Sequence, residues 1–539
     1  MDGLTMDFPL TLDMIFRHAE TIHGQREVVT RLPDRSWHRY TYAEMTQRAK
    51  CLAVALKKLG VQQGDRVGTL CWNHHQHLEA YFGIPVSGAV LHTLNLRLHA
   101  DELAHIINEA EDKAVIVDES LLPIWESVAD KVNVPTVIVV AESDSLPEGV
   151  LNYETLIAES DQSDFVAPAI AEHHAASMCY TSGTVGKSKG VVYSHRAICL
   201  HSFGSALSSG FDIYEKDCVL PVVPMFHVNA WGLPYTAAMM GAKLVFPGPF
   251  LDAKSLLEAI SQEAVTFSAG VPTVWISVIQ ELDDHPTDYH VTPLRKVIVG
   301  GSALPRSLME EFEDRYGVEL VHAWGMTETA PIGTMGRLRY DEHDQPRDKQ
   351  LASRGRQGTP VPGIEIRATR DDVPIPWDGE TMGELEVRGP WVAKAYYNRP
   401  DAADRFSPDG WLRTGDIVSI DDRGCKKIED RAKDLIKSGG EWISSLDLEN
   451  ALMAHPAVAE AAVVAMPHEK WGERPLAAVV TKENQSVTVE ELREHLTPLV
   501  AKWWLPDTFK FIDEIPRTSV GKFKKSVLRE RFQNEVAPS

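Results

Sequence analysis

Tyr180-Thr-Ser-Gly-Thr-Val-Gly-Lys-Ser-Lys-Gly-Val191 packs three glycines, four Ser/Thr hydroxyls and two lysines into twelve residues. Gly183, Gly186 and Gly190 let the backbone turn tightly and approach a ligand. Thr181, Ser182, Thr184, Ser188, Lys187 and Lys189 add O–H groups and ammonium charges that can converge on one anion, the chemistry of a polyphosphate cradle. Apolar residues on either side (Ala175, Ala176 and Met178 before, Val191 and Val192 after) predict a loop between two strands. A Walker loop is a rival reading, but Thr181 stands where its first glycine belongs, and Gly190-Val-Val-Tyr-Ser-His195 reads as strand and turn where a Walker loop enters a helix. A plain Gly/Ser surface loop is the other rival, and the stretch alone does not exclude it.

The bulk numbers narrow the class. A chain of 539 residues exceeds one core, so two to four domains are expected. With 54 basic and 77 acidic residues the formal charge is −23, which argues against a nucleic-acid or anionic-membrane surface and leaves any anion site as a local basic pocket. Six cysteines form no C-x-x-C pair and no His/Cys ligand spacing, so neither a disulfide framework nor a zinc site is indicated. Residues 1–20 lack a basic start and an apolar core, and no run approaches the ~18 apolar residues of a membrane span, so the expected location is cytoplasmic.

Along the chain, helical periodicity (Tyr42–Leu59, stopped by Gly60; Ala253–Glu263) alternates with short apolar runs at Val67–Leu70, Ala114–Val117, Thr136–Val140, Val219–Val223, Lys243–Phe246, Thr266–Ala269 and Lys296–Val299. This alternation predicts layered α/β architecture with largely parallel sheets. From about Pro360 the pattern turns to short strands (Ile364–Ala368, Gly383–Arg388, Gly415–Ile420), and after Asp430 a compact unit begins, with helices at Leu446–Met453 and Val489–Leu496, strands at Val458–Ala465 and Leu476–Val480, and a basic tail.

Four further segments accompany the glycine loop: Trp324-Gly-Met-Thr-Glu328, Leu412-Arg-Thr-Gly-Asp416, Asp430-Arg-Ala-Lys-Asp-Leu-Ile-Lys437 and Pro516-Arg-Thr-Ser-Val-Gly-Lys522. In this order the set resembles the adenylate-forming superfamily of acyl-CoA synthetases, adenylation domains and luciferases, over nearly the whole chain. Pro224-Met-Phe-His-Val-Asn-Ala-Trp231 and Lys437-Ser-Gly-Gly-Glu-Trp-Ile443 resemble its medium- and long-chain fatty acid–CoA ligase branch. The resemblance implies a large N-terminal adenylation domain (1–431) of layered α/β subdomains plus a small β-barrel-like part, a hinge at 432–434, and a small mobile α+β C-terminal domain (435–539). The loop departs from the family pattern at Val185, where Thr or Ser is usual, and at Ser188, where Pro is usual; Lys189 holds the family's lysine position and Lys187 is an extra charge.

The implied reaction joins a carboxylic acid to the α-phosphate of ATP, expels pyrophosphate, and then passes the acyl group to CoA. Positioning and electrostatics dominate such chemistry. The resemblance makes Lys522 the adenylation catalyst and gives Mg²⁺ to Glu328 and Thr184, a hydroxyl-rich oxygen site of the kind magnesium takes. Nucleotide contacts fall to Thr181, Ser182, Gly183, Thr184, Gly186 and Lys189 in the loop, and to Gly301, Ser302 and Ala303 beside the purine. They continue through Ala323, Trp324 (an adenine stack), Gly325, Met326 and Thr327, and end with Asp416 on the ribose hydroxyls, Arg431, Lys433 and Lys437. His227, Val228, Trp231 and Gly301 belong to the acyl site, where Trp231 is expected to gate a tunnel whose width Gly204, Gly232 and Thr273 set. Ser438, Gly439, Gly440 and Trp442 are expected on the CoA path, and Lys433 at the hinge. The expected activity is an AMP-forming ligase for medium-chain and longer fatty acids, working as a homodimer without a nucleic-acid partner. A ligase for another small apolar acid (methylthio-alkanoate, aryl or short-chain) and an acyl-AMP ligase loading a carrier protein are the alternatives. Retention of Lys522, Glu328 and Asp416 argues against a non-catalytic acid- or nucleotide-binding relative, since a pure binder needs no tail lysine.

Overall fold

The glycine loop joins two antiparallel strands, Ala175–Tyr180 and Gly190–Ser194, in register Tyr180↔Gly190 and Cys179↔Val191. The Ser194 side chain then caps the helix His195–Ala206 by accepting from the Ala197 amide. A strand, not a helix, therefore follows the loop, and the Walker reading fails on that point. The computed structural model describes residues 1, 3–141, 146–181, 187–438, 441–483, 485–517 and 523–536.

Two compact units divide the chain. The first comprises Met1–Gly355, Pro360–Ile364 and Gly389–Phe406; the second comprises Arg356–Thr359, Glu365–Arg388 and Ser407–Ser539. In the first, one sheet runs Leu151–Asn152, Thr136–Val140, Asp112–Asp118, Arg66–Leu70, Val90–Thr93, Ala175–Tyr180 and Gly190–Ser194, parallel until its last pair. Another runs Ile332–Met335, Glu319–Gly325, Lys296–Val299, Phe267–Gly270, Cys218–Pro221, Lys243–Phe246, Glu27–Arg31 and Trp37–Thr41. Its interior pairs are parallel and its two outer pairs antiparallel. The interior strands are apolar on both faces because helices cover both sides. Around the second sheet, Leu220, Val245, Leu257, Trp275, Val297 and Phe312 pack into one core. Thr41 and Glu44 form a reciprocal cap on the helix Tyr42–Lys58, and Gly60 follows with φ +86°.

The second unit holds an antiparallel sheet, Val373–Pro374, Glu365–Arg370, Gly383–Arg388, Leu412–Ile420 and Lys426–Arg431. It also holds a sheet of Glu441–Ile443, Ile436–Ser438, Gly472–Thr481 and Val458–His468, with Thr508–Phe511 parallel to Gly472–Thr481. The helices Ser445–Met453 and Val489–Leu496 cover one face of that sheet through Leu448, Leu452, Leu492 and Leu496, and Leu528 and Phe532 cover the other. The segment read as a basic tail thus contributes a strand and the helix Lys525–Val536, because its apolar residues close the second face of the sheet.

Candidate active site

At the base of the glycine loop, the Thr181 amide donates to the Lys189 carbonyl at 2.9 Å and the Lys189 amide donates to Thr181 Oγ1 at 3.1 Å. The Thr181 hydroxyl is therefore engaged in closing the hairpin. Ser182, Gly183, Thr184 and Gly186, with Gly439, Gly440 and the catalytic candidate Lys522, lie outside the described residues. The Lys189 ammonium sits 5.6 Å from the centre of the Tyr396 ring, and the Tyr396 hydroxyl donates to Glu328 Oε1 at 2.5 Å. A phenol in this position, buried and facing a carboxylate, has its pKa pushed well above the usual value, first by burial and then by Glu328, so it remains a donor. Glu328 is itself buried, its carbonyl accepts from the Ala393 amide at 2.8 Å, and the Tyr193 hydroxyl holds the Thr327 carbonyl at 2.6 Å.

Trp324 and Gly325 close the strand Glu319–Gly325, Ala323 pairs with Met335, and the Met326 amide donates to Thr329 Oγ1 at 3.0 Å. The Trp324 indole is buried against Gly333, where a Cβ would come within 2.5 Å of the ring. Gly301 (φ +85°), Ser302 and Ala303 follow the strand Lys296–Val299, with Gly301 and Ser302 exposed.

Next to them is an unusual piece of backbone. Val228, Asn229, Ala230 and Trp231 have φ of 47°, 51°, 50° and 56°, and Gly232 follows at 74°: one turn of left-handed helix. For L-residues this conformation costs about 1–2 kcal/mol each, so surrounding structure must hold it. Asn73 fixes the segment leading into it, its Nδ2 donating to the Pro221 and Val223 carbonyls at 2.9 Å and its Oδ1 accepting from the Met225 amide at 2.8 Å. Asn229 Oδ1 accepts from Ser177 Oγ at 3.1 Å. The Trp231 ring lies against Gly300, 3.1 Å from where a Cβ would stand, and is nearly buried. Gly232 faces the buried His201 ring, which burial holds down to about 3 and whose Nε2 accepts from the Ile332 amide at 3.3 Å. Gly204 backs onto Trp391, Thr273 lies in the helix Pro272–Asp284, and His227 immediately precedes the left-handed turn.

In the second unit, strand register sets Asp416 opposite Arg431, and Arg431 Nε meets the buried Asp416 Oδ1 at 2.9 Å. Beneath this sheet Lys426 is wholly buried; burial holds its ammonium down to about 7 while Asp416 draws it back up. The turn at 432–434 is closed by the Asp434 and Leu435 amides on the Arg431 carbonyl, and Arg529 holds Asp434 Oδ1 at 2.7 Å. Burial lowers the Lys433 pKa. Lys437 pairs with Trp442 and Ser438 with Glu441 as antiparallel strand partners, and the Arg370 guanidinium stacks 4.7 Å from the Trp442 ring centre.

Sequence reasoning missed Tyr396, Asn73, Asn229 and Trp391, whose roles rest on contacts with residues far away in sequence; Tyr396-Tyr397 carries no motif of its own. It also saw no ligand cluster, whereas the fold brings Cys71, His74 and Asp118 to within 4.8 Å of one another. Their hydrogen bonds explain that grouping: His74 Nδ1 accepts from the His77 amide at 3.1 Å, leaving Nε2 to donate to Asp118 Oδ1 at 2.7 Å.

The hairpin under the glycine loop and the buried Glu328 in the first unit, and the Asp416–Arg431 pair in the second, fall on the segments that resemble the adenylate-forming class. Residues 16–397 match the family described as AMP-binding enzyme and residues 447–522 its C-terminal domain, and the chain belongs to this family. It is 49% identical to the long-chain-fatty-acid–CoA ligase of Thermus thermophilus, covering 98% of this chain and 97% of that one. To the medium-chain-fatty-acid–CoA ligase of Ectopseudomonas oleovorans it is 42% identical, covering 99% and 98%. The structure of the anthranilate CoA ligase AuaEII in complex with anthranoyl-AMP superposes with a TM-score of 0.87 at 25% identity, covering 99% of both chains.

Proposed function

We propose that this protein is an AMP-forming fatty acid–CoA ligase acting on medium-chain and longer acids. The observation that carries the reading is similarity to two fatty-acid–CoA ligases along essentially their whole length, at 49% and 42% identity. A carboxylate oxygen attacks the α-phosphorus of ATP and pyrophosphate leaves; the CoA thiolate then adds to the acyl carbon and AMP leaves. Both steps crowd anions together, so the protein's work is to hold and neutralise them.

The chain's residues divide that work. Asp416 would accept both ribose hydroxyls, oriented by Arg431. Lys189 and the loop would hold the departing phosphates, and Lys522 would bridge the attacking carboxylate and the α-phosphate. Glu328, together with Thr184, would offer hard oxygens of the kind Mg²⁺ takes, and the ion would supply positive charge to the phosphates. Tyr396 keeps Glu328 oriented. The Val228–Trp231 turn, with the Trp231 ring against Gly300, supports an acyl site beside Gly301–Ala303. Rotation about 432–434, with Lys433 at its centre, would exchange Lys522 for Ser438–Trp442 between half-reactions, the glycines there admitting pantetheine. A cytoplasmic homodimer belongs to the same proposal, and light scattering with cell fractionation tests it.

Pyrophosphate release measured across C2–C18, aryl and methylthio acids, with and without CoA, tests the reading. We expect a maximum among the fatty acids and an acyl-CoA product. Pyrophosphate release that never yields a thioester would defeat it, and a maximum on aryl or methylthio acids would transfer the assignment to that class.

A further inference from the structure

The left-handed turn Val228–Trp231 presents its second residue, Asn229, to the strand Ala175–Tyr180. Ser177 and Cys179 lie two apart on that strand, so both side chains point to the same face. Ser177 Oγ donates to Asn229 Oδ1 at 3.1 Å, and Cys179 Sγ lies 3.4 Å from the same oxygen. Burial pushes the Cys179 thiol up to about 11, so it keeps its proton. That single proton is shared with Thr93 Oγ1 at 3.3 Å, while Thr93 gives its own to the Phe226 carbonyl at 3.2 Å. Ser177 is therefore the firmer tie. All four side chains are buried, so no solvent competes for these bonds. Asparagine also suits the position for a second reason: it tolerates positive φ better than most residues.

We propose that Asn229 is a positioning residue for the acyl site: its amide oxygen locks the left-handed turn to the Ser177–Cys179 face and thereby fixes where Trp231 and His227 stand. The inference rests on the fatty acid ligase reading. Asn229 acts through the backbone that carries Trp231. Without the lock, the turn relaxes toward ordinary backbone, Trp231 leaves Gly300, and the acid loses its defined wall while the nucleotide groups on Glu328 and Asp416 stay in place.

The test uses the full chain with N229A, S177A and the double variant, measuring apparent KM for a C8–C16 series and for MgATP separately, with thermal melting as a fold check. Wild-type activity on fatty acids is established first; its failure refutes the function, not the lock. We expect N229A to raise the acid KM about tenfold and S177A about threefold, with the MgATP KM within about twofold, because one shared buried hydrogen bond is lost. The double variant should match N229A alone. Equal rises in both KM values, additive effects in the double variant, or an unchanged acid KM would each overturn the proposal. If N229A fails to fold, S177A decides it: an acid KM raised alone supports the lock, and any other result overturns it.

Discussion

The Tyr396 hydroxyl and Glu328 Oε1 are 2.5 Å apart, and the Lys189 ammonium lies over the same phenol ring. Tyr396 thus links the lysine of the glycine loop to the carboxylate expected to hold magnesium. We expect Tyr396→Phe to raise the KM for MgATP by about tenfold or more, since a hydrogen bond to a charged group contributes about 1.5–3 kcal/mol. The acid KM should move little. Titration of pyrophosphate release against MgATP checks this, and an unchanged MgATP dependence counts against the link.

Asp416 and Arg431 meet across one strand pair. Asp416→Asn keeps the shape but loses the charge that would bind two hydroxyls. An ATP affinity weakened by about thirtyfold or more is expected, from about 2 kcal/mol of charge-assisted bonding. Arg431→Gln should have a smaller effect of the same kind. Isothermal titration with a non-hydrolysable ATP analogue reads both.

Lys433 lies in a turn closed on the Arg431 carbonyl and held by Arg529 through Asp434. Proline there fixes φ and stiffens the turn. Lys433→Pro should leave acyl-AMP formation within about threefold and cut thioester formation at least a hundredfold, as expected where a hinge motion gates one step. Single-turnover assays of the two half-reactions separate these; equal losses would refute the hinge.

Trp231 rests against Gly300. Trp231→Ala should shift the chain-length optimum toward longer acids by opening volume beside the acyl chain, and should change how strongly ATP affects acid binding. A kcat/KM profile over C4–C18 unchanged in shape, with ATP coupling intact, would sink the gate.

Four histidines are buried and held low by burial: His77 and His201 at about 3, His195 at about 4, and His75 well below its usual value. Unfolded, each takes up a proton near pH 6.5, while the folded protein does not. Stability is therefore full above about pH 6.5 and falls as pH drops toward these values, by about 1.4 kcal/mol per unit for each histidine. Melting temperatures measured from pH 7.5 to 5 should decline steeply, and His201→Gln should flatten part of that slope. A flat profile in the wild type would contradict the burial argument.

Local chemistry made much of this protein legible in its sequence. Strands at Thr136–Val140, Lys243–Phe246, Lys296–Val299 and Gly383–Arg388, and the helices Ala253–Glu263 and Val489–Leu496, stand where periodicity predicts them. Those segments carry their signal within a few residues: a uniform apolar run, a 3.6-residue stripe, a capping side chain. The strand–loop–strand setting of the glycine loop was readable for the same reason, and with the ordered motifs it named the family.

Other features depend on residues far apart in sequence. Nothing in Pro224–Trp231 announces a left-handed turn, and its polar partners, Asn73 on Met225 and Ser177 on Asn229, lie some 150 and 50 residues away along the chain. Tyr396 acquires its role only by lying beside Glu328, 68 residues earlier. The tail becomes strand and helix because Leu528 and Phe532 cover an apolar sheet face that the tail's own composition does not reveal. Residue types and spacing determined which groups are available for the chemistry; only tertiary packing, which supplies partners and removes water, decided which of them are oriented, strained or held in one protonation state.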